Sequence, residues 1–342
     1  MKFYNIPKED KIAIYQNVEG KTGIPHYAVE KDWWVVQTLK IIFEMELAEH
    51  LVFKGGTSLS KAWKVIERFS EDIDLAVDRK FFGYSGELSK KERTKLRKET
   101  SAYISEIFYL KLQACFKQKG FKNVEFNIIP AESSDQDPRI IEIYYPYITE
   151  SPGYIHPRIQ VEIGCRSLRE PFSVQKVASF VDEQNPDSDY FEQHIEIPSV
   201  LPERTFLEKL FLLHEEFQRP KSKIRVNRLS RHLYDIFRLA KTKHATDAVQ
   251  NKELYEIIVA HRYTFTKVGG VNYNLHHPKF IRPIPPNEFI KSWEIDYKTM
   301  QEQMIYGDSP KFEDLIEEVE RFIQQLNSLE WIMTNTYPKP KN

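Results

Sequence analysis

The chain has 342 residues, 41% of them hydrophobic, which is enough for the cores of roughly two domains and too much for a disordered polymer. Its 49 Lys and Arg balance 50 Asp and Glu, so the net charge of −1 excludes a uniformly basic nucleic-acid coat and confines any such contact to a local patch. Cys115 and Cys165 stand apart from each other and from any His/Cys cluster, arguing against a disulfide scaffold and a thiolate metal site. The N-terminus lacks an apolar signal core and no stretch approaches roughly 18 consecutive apolar residues, so the expectation is a soluble cytoplasmic protein with no membrane partner.

In chain order, Pro25 opens a helix predicted over residues 25–47, with Val29, Trp33, Val36, Leu39 and Ile42 facing the core and Lys31 and Asp32 facing water. "HLVFKGG" (50–56) reads as a short buried strand running into a glycine turn. Beyond the turn, Leu59, Ala62, Trp63, Ile66 and Phe69 recur at helical spacing, which predicts one amphipathic helix continuing to about Phe69. "DIDLAV" (72–77) alternates as a strand does. Residues 88–120 predict a long helix stopped by Gly120, residues 122–129 and 140–147 a strand pair, and "RIQVEIG" (158–164) a further strand. Past residue 200 the pattern becomes helical, over 203–218, 230–243, 250–263, 287–305 and 310–329, with "GGVNYNLHHPKFIRPIPP" as an ordered loop. The expected fold is therefore α+β: residues 1–199 hold helices and a mixed sheet, and residues 200–342 form a mainly helical domain.

Chemistry concentrates after the first strand. Glycines at 55 and 56 let a backbone approach a ligand closely, and Thr57 and Ser58 at a helix start present N–H groups and hydroxyls suited to phosphate. The same four residues also fit a tight turn and a plain N-cap. Asp72 and Asp74, two apart in a strand, project to one face while Ile73, Leu75 and Val77 face the core. Adjacent carboxylates repel unless a cation lies between them, and hard oxygen ligands favour Mg²⁺ or Mn²⁺ shared with a substrate phosphate. In "RIQVEIG" the alternation of Ile159, Val161 and Ile163 leaves Glu162 on the opposite face, beside Gln160 and Arg158. If that strand neighbours 72–77, three carboxylates can serve two metals about 3.5–4 Å apart; a solvated strand glutamate is the plain alternative.

At these residues the sequence resembles a known family. "KGGTSLSKAW…RFSEDIDL" is similar to the first motif of the nucleotidyltransferase-like AbiEii/AbiGii toxins, within the DNA polymerase β-type nucleotidyltransferase superfamily. The resemblance extends through "VEKDWWVVQTLK", "RTFLEKLFLLHEEF", "RLSRHLYDIFRLAK" and "DYKTMQEQMIYGDSPKFEDLIEEVERFIQQLN". It implies a polymerase β-like core, Ser58 on the triphosphate of an NTP, and Asp72 and Asp74 on Mg²⁺. It further implies Lys209 on nucleotide phosphate, Asp235 as the acid of a "YD" motif and Glu162 as the third acid. The activity implied is that of a toxin in bacterial toxin–antitoxin or phage-defence pairs, transferring NMP to an acceptor such as the tRNA 3′ end, with a cognate antitoxin as partner.

Two local readings stand beside the resemblance. Lys209 lies next to the apolar stripe Phe206, Leu207, Leu210, Phe211, His214 and Phe217, where it can snorkel or pair with Glu208 or Glu215; Asp235 has Arg231 and Arg238 at helical spacing, an ordinary surface ladder. "RPKSKIRVNRLSR" carries Arg219, Lys221, Lys223, Arg225, Arg228 and Arg231 with no acid, a candidate basic patch for a nucleotide or RNA end or else a solvated linker. His276 and His277, being adjacent, are assigned no metal role. A GTP-binding or other nucleotide-binding regulatory protein of the same fold, without transfer, is the alternative function; a glycosyltransferase would not explain the GGTS turn.

Overall fold

The computed structural model describes residues 2–151 and 155–340. The chain divides into two compact units, Met1–Lys64 with Phe69–Val200, and Val65–Arg68 with Leu201–Asn342.

The first unit begins with α1 (Lys8–Thr22) and α2 (His26–Ile42), then β1 (Leu51–Lys54), α3 (Gly55–Lys61) and β2 (Asp72–Val77). There follow α4 (Lys90–Tyr103), a short π-helical segment, α5 (Tyr109–Gln118), β3 (Glu125–Ile128), β4 (Arg139–Tyr144), β5 (Arg158–Gly164), β6 (Phe172–Val177), α6 (Phe180–Gln184) and β7 (Ile195–Val200). The strands form one mixed sheet in the order β3-β4-β5-β2-β1-β7-β6. β1 and β2 run antiparallel with Lys54 opposite Asp74; β2 and β5 run parallel with Asp72 opposite Gln160 and Asp74 opposite Glu162. Ile73, Leu75, Ile159, Val161 and Ile163 are all buried, and α2 packs against both β2 and β5. The period-2 alternation thus sends the apolar set to one face and leaves the acids on the other. Gly120 ends the long helical run with φ 81°, as its sequence position predicts.

Two expectations fail here. Lys31 and Asp32 do not face water: each is 2% exposed. Lys31 donates to the Glu71 carboxylate (2.5 Å) and the His156 carbonyl (2.8 Å), and Lys61 meets Asp32 at 2.8 Å. Glu30, also buried, accepts from the backbone N–H groups of Ile148 and Thr149. Three consecutive charges on α2 are therefore buried, each matched by a partner without which a low-dielectric site would expel it. The second failure is the helix from Thr57 to Phe69, which stops after Lys61. Lys64 turns to φ 54°, and Ala62, Ile66 and Phe69 are buried as the pattern requires but not on one helix face. The stretch is shared between two cores, since Val65–Arg68 belongs with the second unit and Phe69 with the first. β6 and β7 escape prediction because their alternation is weak and Pro198 interrupts the second.

The second unit contains α7 (Pro202–Glu216), α8 (Ser230–Ala240), α9 (Lys243–Gln250), α10 (Lys252–Phe265), α11 (Ile290–Gln303) and α12 (Phe312–Asn327). The helix predicted at 230–243 ends at Ala240, and residues 243–250 form a separate one. α7 packs against α8, α9 and α10, and α8 also against α11 and α12. The Gly/Pro/aromatic loop is ordered around His276, which is fully buried, stacks on Tyr273 and meets Glu215 at 3.1 Å. No helix among the described residues is long and apolar enough to cross a membrane.

Candidate active site

In the first unit the chain bends sharply between β1 and α3 because Gly55 adopts φ 77°, a conformation L side chains rarely take. The bend brings its backbone onto Asp74: a Cβ at position 55 would lie 2.0 Å from the Asp74 Oδ2. Glycine is required there twice over, and the turn and the strand acid form one constellation. Thr57 ties the same pieces together, its hydroxyl donating to the Asp72 carbonyl and lying 3.0 Å from the Ser70 Oγ. That hydroxyl is taken up by the fold, so a nucleotide would meet position 57 through its backbone. Ser58 differs. It is 1% exposed and its Oγ has no hydrogen-bond partner, a buried polar atom that a phosphate oxygen would satisfy.

Asp72, Asp74 and Glu162 occupy one face of neighbouring strands, with Glu162 directly opposite Asp74. Burial, then the Asp74 and Asp72 charges, push the Glu162 carboxyl above its ordinary range; Lys54 and a 3.0 Å hydrogen bond from Gln160 work against the shift. Burial and two like charges thus act together on this carboxyl, and a cation bound beside it would relieve both. No three His, Cys, Asp or Glu side chains among the described residues converge into a closed cage. Mg²⁺ needs none, because it binds through one or two carboxylates and completes its shell with water and substrate phosphate. The donor set fits such an ion, with Asp72 and Asp74 two apart on one strand and Glu162 opposite Asp74 on the next. Lys54 is the residue that the sequence reading missed; as the last strand residue before the glycines, with Asp74 opposite, it shares the acids' face.

In the second unit Lys209 and Asp235 come together, but not as surface residues. Asp235 is 0% exposed and receives Arg68 through both carboxylate oxygens (2.7 and 2.8 Å) and Lys209 at 2.8 Å. Burial alone would raise its pKa; the two cations hold it well below the usual carboxylate range. Lys209 is buried too, its pKa lowered by burial against the pull of Asp235, and His232 Nδ1 lies 3.3 Å from its Nζ. Neither the snorkelling lysine nor the Arg231/Arg238 ladder describes this arrangement; Arg238 instead meets Glu67 at 2.6 Å. The basic run is also corrected. Arg219 and Arg225 both bind the buried Glu216, and Lys221 pairs with Glu288, so at least three of the six cations already have acidic partners.

A glycine turn against one of three same-face carboxylates, with an unsatisfied serine beside it, is a donor set suited to a phosphate and a cation. The family model described as nucleotidyl transferase AbiEii toxin, type IV toxin–antitoxin system, matches residues 38–324. The chain belongs to this AbiEii family of nucleotidyltransferase toxins, which implies an NTP substrate, a divalent metal and an antitoxin partner. No curated protein matches. Similar solved structures include MenT4, a nucleotidyltransferase toxin from Mycobacterium tuberculosis H37Rv, 15% identical over 93% of this chain and 99% of that one, TM-score 0.47. JHP933 from Helicobacter pylori is 12% identical over 85% and 89%, TM-score 0.39. A putative nucleotidyltransferase from H. pylori is 13% identical over 85% and 92%, TM-score 0.42.

Proposed function

We propose that the protein transfers NMP from an NTP to a hydroxyl of an RNA acceptor, with the tRNA 3′ end as the first candidate, and uses Mg²⁺ held by Asp72 and Asp74. The observation that carries this reading is the register that sets Glu162 beside Asp74, together with the backbone of Gly55 against the same aspartate. Bound there, a divalent cation supplies charge neutralisation for phosphate oxygens. The chain's own groups do the rest. The Gly55–Gly56 backbone, the Thr57 backbone and the Ser58 hydroxyl hold the triphosphate, and Glu162 is the further carboxylate ligand. Family likeness assigns the Lys209 ammonium to nucleotide phosphate, and Asp235 keeps that ammonium ionised and in place. In the reaction the acceptor oxygen bonds to the α-phosphorus and the bridging bond breaks. Pyrophosphate leaves with the electron pair, and the hydroxyl proton goes to solvent. Such chemistry rests on positioning and electrostatics, in keeping with the acids and backbone donors of the first unit. The RNA acceptor rests on family resemblance alone, because the basic run is partly neutralised by Glu216 and Glu288.

The test is incubation with labelled NTPs, Mg²⁺ and total RNA. Wild type is expected to label RNA and release pyrophosphate, and Asp72→Ala with Asp74→Ala to lose at least about 10²–10³-fold of that rate. Equal labelling by the double variant sinks the assignment of these carboxylates, and NTP affinity without pyrophosphate release replaces transfer by binding alone.

A further inference from the structure

On the acid-bearing face of the first unit's sheet, side chains continue past Glu162 onto β4 and β3 in register. Asp72 faces Gln160, Gln160 faces Glu142, and Glu142 faces Asn127; one step along, Arg158 faces Tyr144. These residues are joined by hydrogen bonds. Glu142, 8% exposed, accepts from Asn127 Nδ2 (3.0 Å), from the Tyr144 hydroxyl (3.0 Å) and from Arg158. Arg158 also donates to Gln160 Oε1 (3.0 Å), whose amide donates to Glu162 (3.0 Å). The network fixes the planes of a guanidinium, an amide and a phenol ring in a strip that ends at the third carboxylate. Tyr144 itself stays 40% exposed. A buried carboxylate with three donors makes a stable anchor, yet what it anchors is an uncovered aromatic surface, which a purely structural network does not need.

In-line displacement puts the attacking and leaving oxygens on opposite sides of the phosphorus. With pyrophosphate at the Gly55–Ser58 turn on the β1 side of Asp72 and Asp74, the acceptor must come from the β5–β4–β3 side, where the strip lies. We propose that Tyr144, with Arg158 and Gln160 oriented through Glu142, forms the acceptor subsite, where the terminal base of a single-stranded RNA end stacks on the Tyr144 ring and meets Arg158 and Gln160 at its edge. Base stacking on an aromatic ring suits an acceptor read without strong basic attraction, since every base has a π-face. This inference rests on the transfer reading above and names the acceptor side of that same site.

The experiment measures binding of a fluorescent single-stranded oligoribonucleotide with a free 3′ hydroxyl, and of ATP and GTP with Mg²⁺, to wild type, Tyr144→Ala and Tyr144→Phe, each checked for a wild-type melting transition. Tyr144→Ala is expected to weaken RNA affinity about tenfold or more while NTP affinity holds. Tyr144→Phe, which keeps the ring but not the bond to Glu142, should recover most of it. Unchanged RNA affinity in Tyr144→Ala overturns the proposal. So does weakened NTP affinity with RNA affinity intact, which makes Tyr144 a reader of the incoming base. Because binding is read without turnover, the two readings fail separately. Tyr144-dependent RNA binding with no Mg²⁺-dependent transfer removes the function and keeps the subsite. Transfer that needs Asp72 and Asp74 with Tyr144-independent RNA binding removes the subsite alone.

Discussion

The two units handle negative charge in opposite ways. In the second, one carboxylate, Asp235, is surrounded by two cations, Arg68 and Lys209, within 2.8 Å. In the first, Asp72, Asp74 and Glu162 share one sheet face, with Lys54 as the cation opposing the shift of Glu162. In one, a fully buried carboxylate is held by two cations; in the other, burial and neighbouring acids still raise the Glu162 carboxyl. The difference separates a fully buried, doubly ion-paired carboxylate from a group of partly exposed acids on one sheet face.

The sharpest way to break the comparison is to remove one carboxylate from each side. Asp235→Asn leaves Arg68 and Lys209 buried without their counter-ion, and should cost about 3–5 kcal/mol of stability, read by denaturant unfolding. Asp74→Asn relieves repulsion instead. Its stability should stay within about 1 kcal/mol of wild type or rise, while Mg²⁺-dependent transfer falls roughly 10²–10³-fold. A large loss of stability from Asp74→Asn would mean that the first cluster is structural as well.

A smaller effect is expected from Gly55→Ala. The positive φ of 77° and the approach of a Cβ to within 2.0 Å of the Asp74 carboxylate force the turn or the aspartate to move. We expect about 1–3 kcal/mol of destabilisation and weaker Mg²⁺-NTP binding by calorimetry. Retention of full affinity would detach the turn from the acid site.

These distinctions were unequally legible in the sequence. The carboxylate face could be read directly, because a period of two assigns Asp72, Asp74 and Glu162 to one side of their strands whatever the tertiary structure. That β2 and β5 are neighbours could only be conditional, and the register turned the condition into contact. Lys31 and Asp32 were misread for the converse reason: their partners Glu71 and Lys61 are 40 and 29 residues away, and no helical period reports a long-range ion pair. Asp235 suffered the same error, since its helical neighbours Arg231 and Arg238 concealed Arg68, 167 residues distant. The helix to Phe69 failed differently. Its apolar spacing was real, but the buried positions serve two cores, and burial alone does not specify one helix.

The finest discrimination comes from Glu162, whose carboxyl is raised by burial and by Asp74 and Asp72. A carboxyl with a folded pKa above its unfolded one contributes stability below the unfolded value, and loses it as pH rises through the folded value. At pH 7 the ionised Glu162 therefore opposes folding slightly, and Glu162→Gln should stabilise the protein by under about 1 kcal/mol, an advantage that shrinks as pH falls toward 4. Mg²⁺ turns this into a test of purpose. If the repulsion exists to receive a cation, adding Mg²⁺ should raise the melting temperature of wild type more than that of Glu162→Gln and close the gap between them. If Mg²⁺ shifts both equally, Glu162 is no ligand, and the metal is held by Asp72 and Asp74 without it.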